Sequence, residues 1–123
     1  MAIDINVISI NVNGLDDLYD YADVLQELSQ EIENYVRNYR GSLESEQKNQ
    51  LRSDFKKIRD LAEDIATQAA IEELESLDTE LTQLESAIEQ ADSFLTKVEN
   101  AKDAISAVAK VIEITHKVLQ IIP

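Results

Sequence analysis

Glu113 and His116 stand three residues apart, a spacing that places a carboxylate and an imidazole on one face of a helix. Four-helix carboxylate bundles hold a pair of iron ions in this way. Such a centre draws on two Glu-x-x-His motifs and on further inward-facing Glu residues, whereas this chain has one histidine, so only a dimer would complete it. No metal and no other cofactor is therefore expected. The single histidine also removes most general-base and triad schemes, which need a base oriented by a third group. Cysteine is absent, which excludes thiolate ligands, cysteine nucleophiles and disulfides. No Gly-rich loop follows a strand, so nothing supports nucleotide binding. These exclusions point away from an enzyme.

Carboxylates are the most abundant chemistry-bearing groups. From Asp60 to Asp92 the chain places eleven acidic residues and no Lys or Arg, within a net charge of -14. The plain reading is a solvated polar face that aids solubility; the functional one is a contact surface for a basic partner. A hard-cation loop would alternate Asp or Asn around a central Gly, and none is present. A chain this acidic repels a phosphate backbone, so no nucleic-acid partner is expected.

The elements that carry these residues follow from the near absence of breakers. In 123 residues, enough for one domain, Gly occurs only at positions 14 and 41 and Pro only at 123. At 44% hydrophobic and 29% charged the chain should fold, and fold into long helices. Leu15, Leu18, Ala22, Leu25, Ser29, Ile32, Val36 and Tyr39 follow a 3-4 spacing that predicts a first helix over about 15–40 with a heptad stripe. Asp16, Asp17, Asp20 and Asp23 open it and Arg37 and Arg40 close it, the charge order that complements the helix dipole, and Gly41 is read as its stop. A second stripe, Leu51, Phe55, Ile58, Ala62, Ile65 and Ala69, predicts a helix capped by Ser42 or Ser45 and folded back on the first. That hairpin would bring Arg52, Lys56 and Arg59 toward Glu33, Glu31 and Glu27.

A third 3-4 stripe runs through Leu74, Leu77, Leu81, Leu84, Ile88, Ala91, Leu95 and Val98, out of phase with the second. The steps Ala62, Ala66, Ala70 and Leu74 are successive fours, readable as a stutter in one long helix or as a bend. Asn100, with Asp103 three residues on, resembles an N-cap and predicts the last helix start. Beyond it Ile105, Val108, Val111, Ile112, Ile114, Val118, Leu119, Ile121 and Ile122 cover most of the helix circumference, which suits a helix central in a bundle or buried against a partner or lipid. The expected fold is an all-α antiparallel bundle of three or four long helices over 15–123, with coiled-coil-like packing. A short extended N-terminal arm over 1–14 precedes it, where Ile3, Ile5 and Val7, then Ile8, Ile10 and Val12, alternate with polar residues as in a strand with a bulge, or lie along the helices.

Tyr19, Tyr21, Tyr35 and Tyr39 line the first helix as an aromatic contact surface or as core-edge residues. The turn Tyr39-Arg40-Gly41 has Tyr where the Trp-x-Gly turn of small secreted helical-hairpin proteins has Trp, and the third stripe and apolar tail lie outside that two-helix plan. Heptad stripes without a catalytic constellation predict a non-enzymatic interaction or assembly protein that binds itself, as a homo-oligomer, or a protein partner. The candidate contact residues are Ile3, Ile5, Val7, Ile8, Ile10 and Val12 of the arm and Ile105, Val108, Ile112, Val118, Leu119 and Ile122 of the last helix. The alternative is a membrane-active helical protein, a component of an α-helical pore-forming type, that presents 104–122 to lipid. Its acidity counts against anionic bilayers. The start lacks a signal-peptide pattern and no run is long enough to span a bilayer, so a cytoplasmic location is expected, with signal-less export left open.

Overall fold

A computed structural model describes residue 10 and residues 17–68 and 77–121. These contain four α-helices, α1 (Leu18–Tyr39), α2 (Ser45–Thr67), α3 (Asp78–Phe94) and α4 (Ala101–Ile121), and no strand. A 3-10 turn over Val98–Asn100 leads directly into α4, so the last helix begins where Asn100 suggested. Of the expected arm, Ile10 lies buried in the core outside regular secondary structure; Ile3, Ile5, Val7, Ile8 and Val12 fall outside the described residues.

The caps differ from the sequence expectations, each for a local reason. Asp17 has extended backbone, with φ -144 and ψ 175, and its Oδ1 accepts a hydrogen bond from the Asp20 N–H at 2.9 Å. That satisfies an orphan donor of the first turn, so α1 starts at Leu18 rather than Leu15. At α2 the N-cap is Glu44, not Ser42 or Ser45: the Gln47 side-chain oxygen accepts from the Glu44 N–H at 3.1 Å, half of a capping box. The turn between them is closed by Ser42 N–H and Leu43 N–H, which both donate to the Tyr39 carbonyl, at 2.8 and 3.0 Å. Gly41 is not in the left-handed region, and a Cβ there would meet nothing within 4 Å, so its lack of a side chain is not what ends α1.

The α1 and α2 stripes pack against each other along their length, and α3 and α4 form a second antiparallel hairpin of similar intimacy. The hairpins stack with α2 against α4 and, less extensively, α1 against α3. Two hydrogen bonds set the direction of that last pair. Tyr21 near the start of α1 reaches Glu85 in α3, and Tyr35 near its end reaches Lys97 just beyond α3, so α1 and α3 run in the same direction. Helices α2 and α3, consecutive in the chain, thus stand at opposite corners. Of the successive fours, Ala62 and Ala66 lie in α2, which ends at Thr67, so the reading as one continuous helix does not hold; Ala70 and Leu74 fall outside the described residues.

This arrangement explains which residues are buried. A two-helix coiled coil buries one stripe, but each bundle helix touches two neighbours. Accordingly α1 buries Leu18, Ala22, Leu25, Ile32 and Val36 and also Tyr21, Val24, Leu28 and Tyr35. The core continues through Leu51, Ile58 and Ile65 of α2, Leu81, Leu84 and Ile88 of α3 and Val108, Val111 and Val118 of α4. Buried alanines lie on both helices of the second hairpin, Ala87 and Ala91 on α3 and Ala101, Ala104 and Ala107 on α4.

Candidate functional site

The outer seam of the first hairpin opens into a groove of about 290 Å³ lined by Glu33, Val36, Arg37 and Arg40 of the α1 end and Arg52, Phe55 and Lys56 of α2. Register is set by Arg59, whose guanidinium lies 3.9 Å from Glu33 and 5.2 Å from the Phe55 ring centroid. One and two turns nearer the hairpin turn, the same antiparallel register places Lys56 and Arg52 across from Arg37 and Arg40. The cations of α2 thus sit nearer the hairpin turn than expected: Arg59 pairs with Glu33 rather than facing Glu27, and Arg52 and Lys56 pass Glu33 and Glu31 altogether. Glu31 is turned into the core, and the side chains of Arg37, Arg40, Arg52 and Lys56 make no ion pair among the described residues.

All four arginines of the chain lie between 37 and 59, with seven of its eleven basic residues and only three of its 25 acidic ones. Cations in the last turn of α1 complement its dipole. In α2 the order is reversed: Arg52, Lys56, Lys57 and Arg59 precede Asp60, Glu63 and Asp64, and the last turn holds no basic residue. That sequence opposes the α2 dipole, and across the seam it sets like charge against like. Arginine forks bind carboxylates and phosphates in bidentate fashion, so an unpaired cluster over a partly apolar floor of Val36 and Phe55 is chemically an anion-accepting surface.

The second hairpin also carries a groove, of about 330 Å³, lined by Gln83, Ser86, Ala87 and Gln90 of α3 and Lys110, Ile114 and Lys117 of α4. Its two lysines flank Glu113 at 3.9 and 3.8 Å, so the carboxylate of the Glu-x-x-His spacing is engaged by its own helix. His116 is exposed, and among the described residues no three His, Asp or Glu side chains converge as metal ligands would.

Between the hairpins, the α1–α3 seam is polar. Tyr21 donates to Glu85 Oε1 at 2.7 Å and Tyr35 donates to the Lys97 carbonyl at 2.7 Å. Burial raises both phenols, that of Tyr35 to about 12, with the Glu85 carboxylate adding to the effect at Tyr21. Tyr39 packs edge-on against Tyr35, with ring centroids 5.2 Å apart. Glu31 is 7% exposed and faces Asp92, and as two carboxylates they leave both Glu31 oxygens and Asp92 Oδ1 without a donor. A proton on Glu31 gives that side chain an O–H to donate to Asp92. Burial first, then the Asp92 partner, pushes Glu31 up to about 10. On α2, Asp54 is likewise raised by burial, partly offset by the Gln50 side chain, which donates to it at 2.9 Å.

The candidate contact residues of the last helix divide into two sets. Val108 and Val118 are wholly buried in the bundle, whereas Ile105, Ile112 and Leu119, seven residues apart, are half-buried at its edge. Ile122 lies outside the described residues, and its neighbour Ile121 is 41% exposed. No described helix is long and apolar enough to cross a membrane. Comparison with protein-family models, with curated proteins and with solved structures returns no match.

Proposed function

We propose that this chain is a non-enzymatic helical interaction protein that binds a protein partner or a second copy of itself. The observation that carries the reading is the groove of four unpaired cations, Arg37, Arg40, Arg52 and Lys56, on a chain that holds 25 carboxylates. Ion pairs within the chain would have been easy to supply, as Glu113 does for Lys110 and Lys117. Leaving like charges together costs local repulsion that an anionic protein surface relieves on docking. The heptad stripes act inside the chain, where they hold the hairpins together and leave the charged outer seam for others.

The membrane-active alternative draws on the apolar character of α4. In the bundle, Val108, Val111, Ile114 and Val118 are already buried, so lipid would have to compete with the core for them.

Proximity labelling in the source cell tests the reading, with the full chain and its Arg37→Glu/Arg52→Glu variant as parallel baits. The expected result is one or more protein neighbours labelled by the parent and lost with the variant. Identical labelled sets would contradict it.

A further inference from the structure

We infer that the partner seated on the Arg groove is a second copy of this chain, and that the two copies meet α1/α2 face to α1/α2 face about a two-fold axis. This deepens the reading above and rests on it. Along the exposed side of α1 the charges run from acidic Asp23 and Glu27, past Gln26 and Gln30 and a Glu33 paired with Arg59, to basic Arg37 and Arg40. Along α2, read in the same spatial direction, Glu63 with Asp60 gives way to Arg59 and then to Lys56 and Arg52. The face is therefore antisymmetric in charge about a point near Gln30 and Arg59. A two-fold axis through that point lays the basic half of each copy on the acidic half of the other, and every favourable contact is made twice.

Tyr19 gives this arrangement an anchor. It is 56% exposed, one of two large hydrophobic side chains so exposed among the described residues. It lies on the same α1 line as Gln26, Glu33 and Arg40, at seven-residue steps, at the acidic end of the face. The two-fold brings it over the partner copy's Arg37 and Arg40, where a tyrosine face meets a guanidinium favourably. At 1.5 Å per residue the 22 residues of α1 span about 33 Å, and two helices about 10 Å apart give a face of roughly 20 Å width. That projected area approaches the ~800 Å² per partner of a standard interface. At physiological salt the screening length is about 8 Å, so the charges in contact outweigh the repulsion of two acidic bodies.

Charge-swap variants examined by sedimentation equilibrium test the proposal, with circular dichroism to show that each stays helical. The parent should have twice the 13.9 kDa mass of one chain. Arg37→Glu/Arg52→Glu reverses charges in the basic half of the face and Asp23→Lys/Glu63→Lys reverses them in the acidic half, so each alone should dimerise about 100-fold more weakly. Mixed in equal amounts, the two should form a heterodimer, a recovery that misfolding cannot mimic. Tyr19→Ala should weaken the parent dimer about tenfold. A parent that stays monomeric, assembles into open chains, or keeps its dimer in both charge variants overturns the proposal. Solution mass reports the second copy alone and proximity labelling reports any protein, so a monomeric parent with charge-dependent neighbours would remove this inference and leave the broader reading standing.

Discussion

The two hairpins have the same helical architecture and treat their charges in opposite ways. In α3/α4 the groove lysines are neutralised by Glu113 on their own helix, and the hairpin is closed by small and branched apolar side chains. In α1/α2, cations gather on the outer seam without partners, and Glu31 and Asp54 are buried where apolar residues would pack without penalty. The second hairpin is built for the chain's own stability, while the first gives up stability in two places. Retained unfavourable electrostatics are what the proposed function expects of a contact surface.

The strongest way to break this division is to charge the closed hairpin. Val108→Asp places a carboxylate in a fully buried site of α4 and should destabilise by about 4 kcal/mol or more, abolishing the cooperative thermal transition. Survival of a sharp transition would show that α4 is not the structural half.

Next in size is a gain. The folded chain keeps a proton on Glu31 that the unfolded chain releases above about pH 4.5, so this group's stability contribution is full below that pH and is lost as pH rises toward about 10. At neutral pH the cost is on the order of 3 kcal/mol. Glu31→Gln, which can donate to Asp92 without a proton to lose, should raise the melting temperature at pH 8 and flatten its dependence between pH 5 and 8. Equal slopes for parent and variant would mean that Glu31 is not held protonated in the folded chain. Smaller still, Tyr35→Phe removes the bond to the Lys97 carbonyl and should cost about 1 kcal/mol, or about 4 °C in melting temperature. The smallest change sharpens the contrast: Arg37→Glu/Arg52→Glu should shift the stability of the dilute chain by no more than about 0.5 kcal/mol while removing its contacts with other proteins. A large loss of stability would mean that the seam arginines support the fold.

Much of this architecture is legible in the residues. The 3-4 stripes of Leu18 to Val36, Leu51 to Ile65 and Leu77 to Leu95 mark three helices and the first hairpin, because apolar periodicity records which side faces a neighbour. Asn100 marks the start of the fourth. The second buried line of α1 escapes a heptad reading, which assumes one neighbour; Tyr21, Val24, Leu28 and Tyr35, at steps of three, four and seven, carry its signal. Glu31 lies on that line, so its burial follows from the bundle and not from its own polarity. The caps at Asp17 and Glu44 depend on hydrogen bonds that several nearby residues are equally able to make. The groove was open to discovery from sequence through the clustering of arginines at 37, 40, 52 and 59, a signal that net charge averages away.

The most direct test of the central claim, that two copies of the chain meet through the α1/α2 outer face, is a dilution series of the isotope-labelled full chain followed by its backbone amide resonances. The account predicts concentration-dependent shifts concentrated at Tyr19, Asp23, Arg37, Arg40, Arg52, Lys56 and Glu63, with α3 and α4 nearly unmoved. Shifts centred on Ile105, Ile112 and Leu119, or no shift at any concentration, would contradict it.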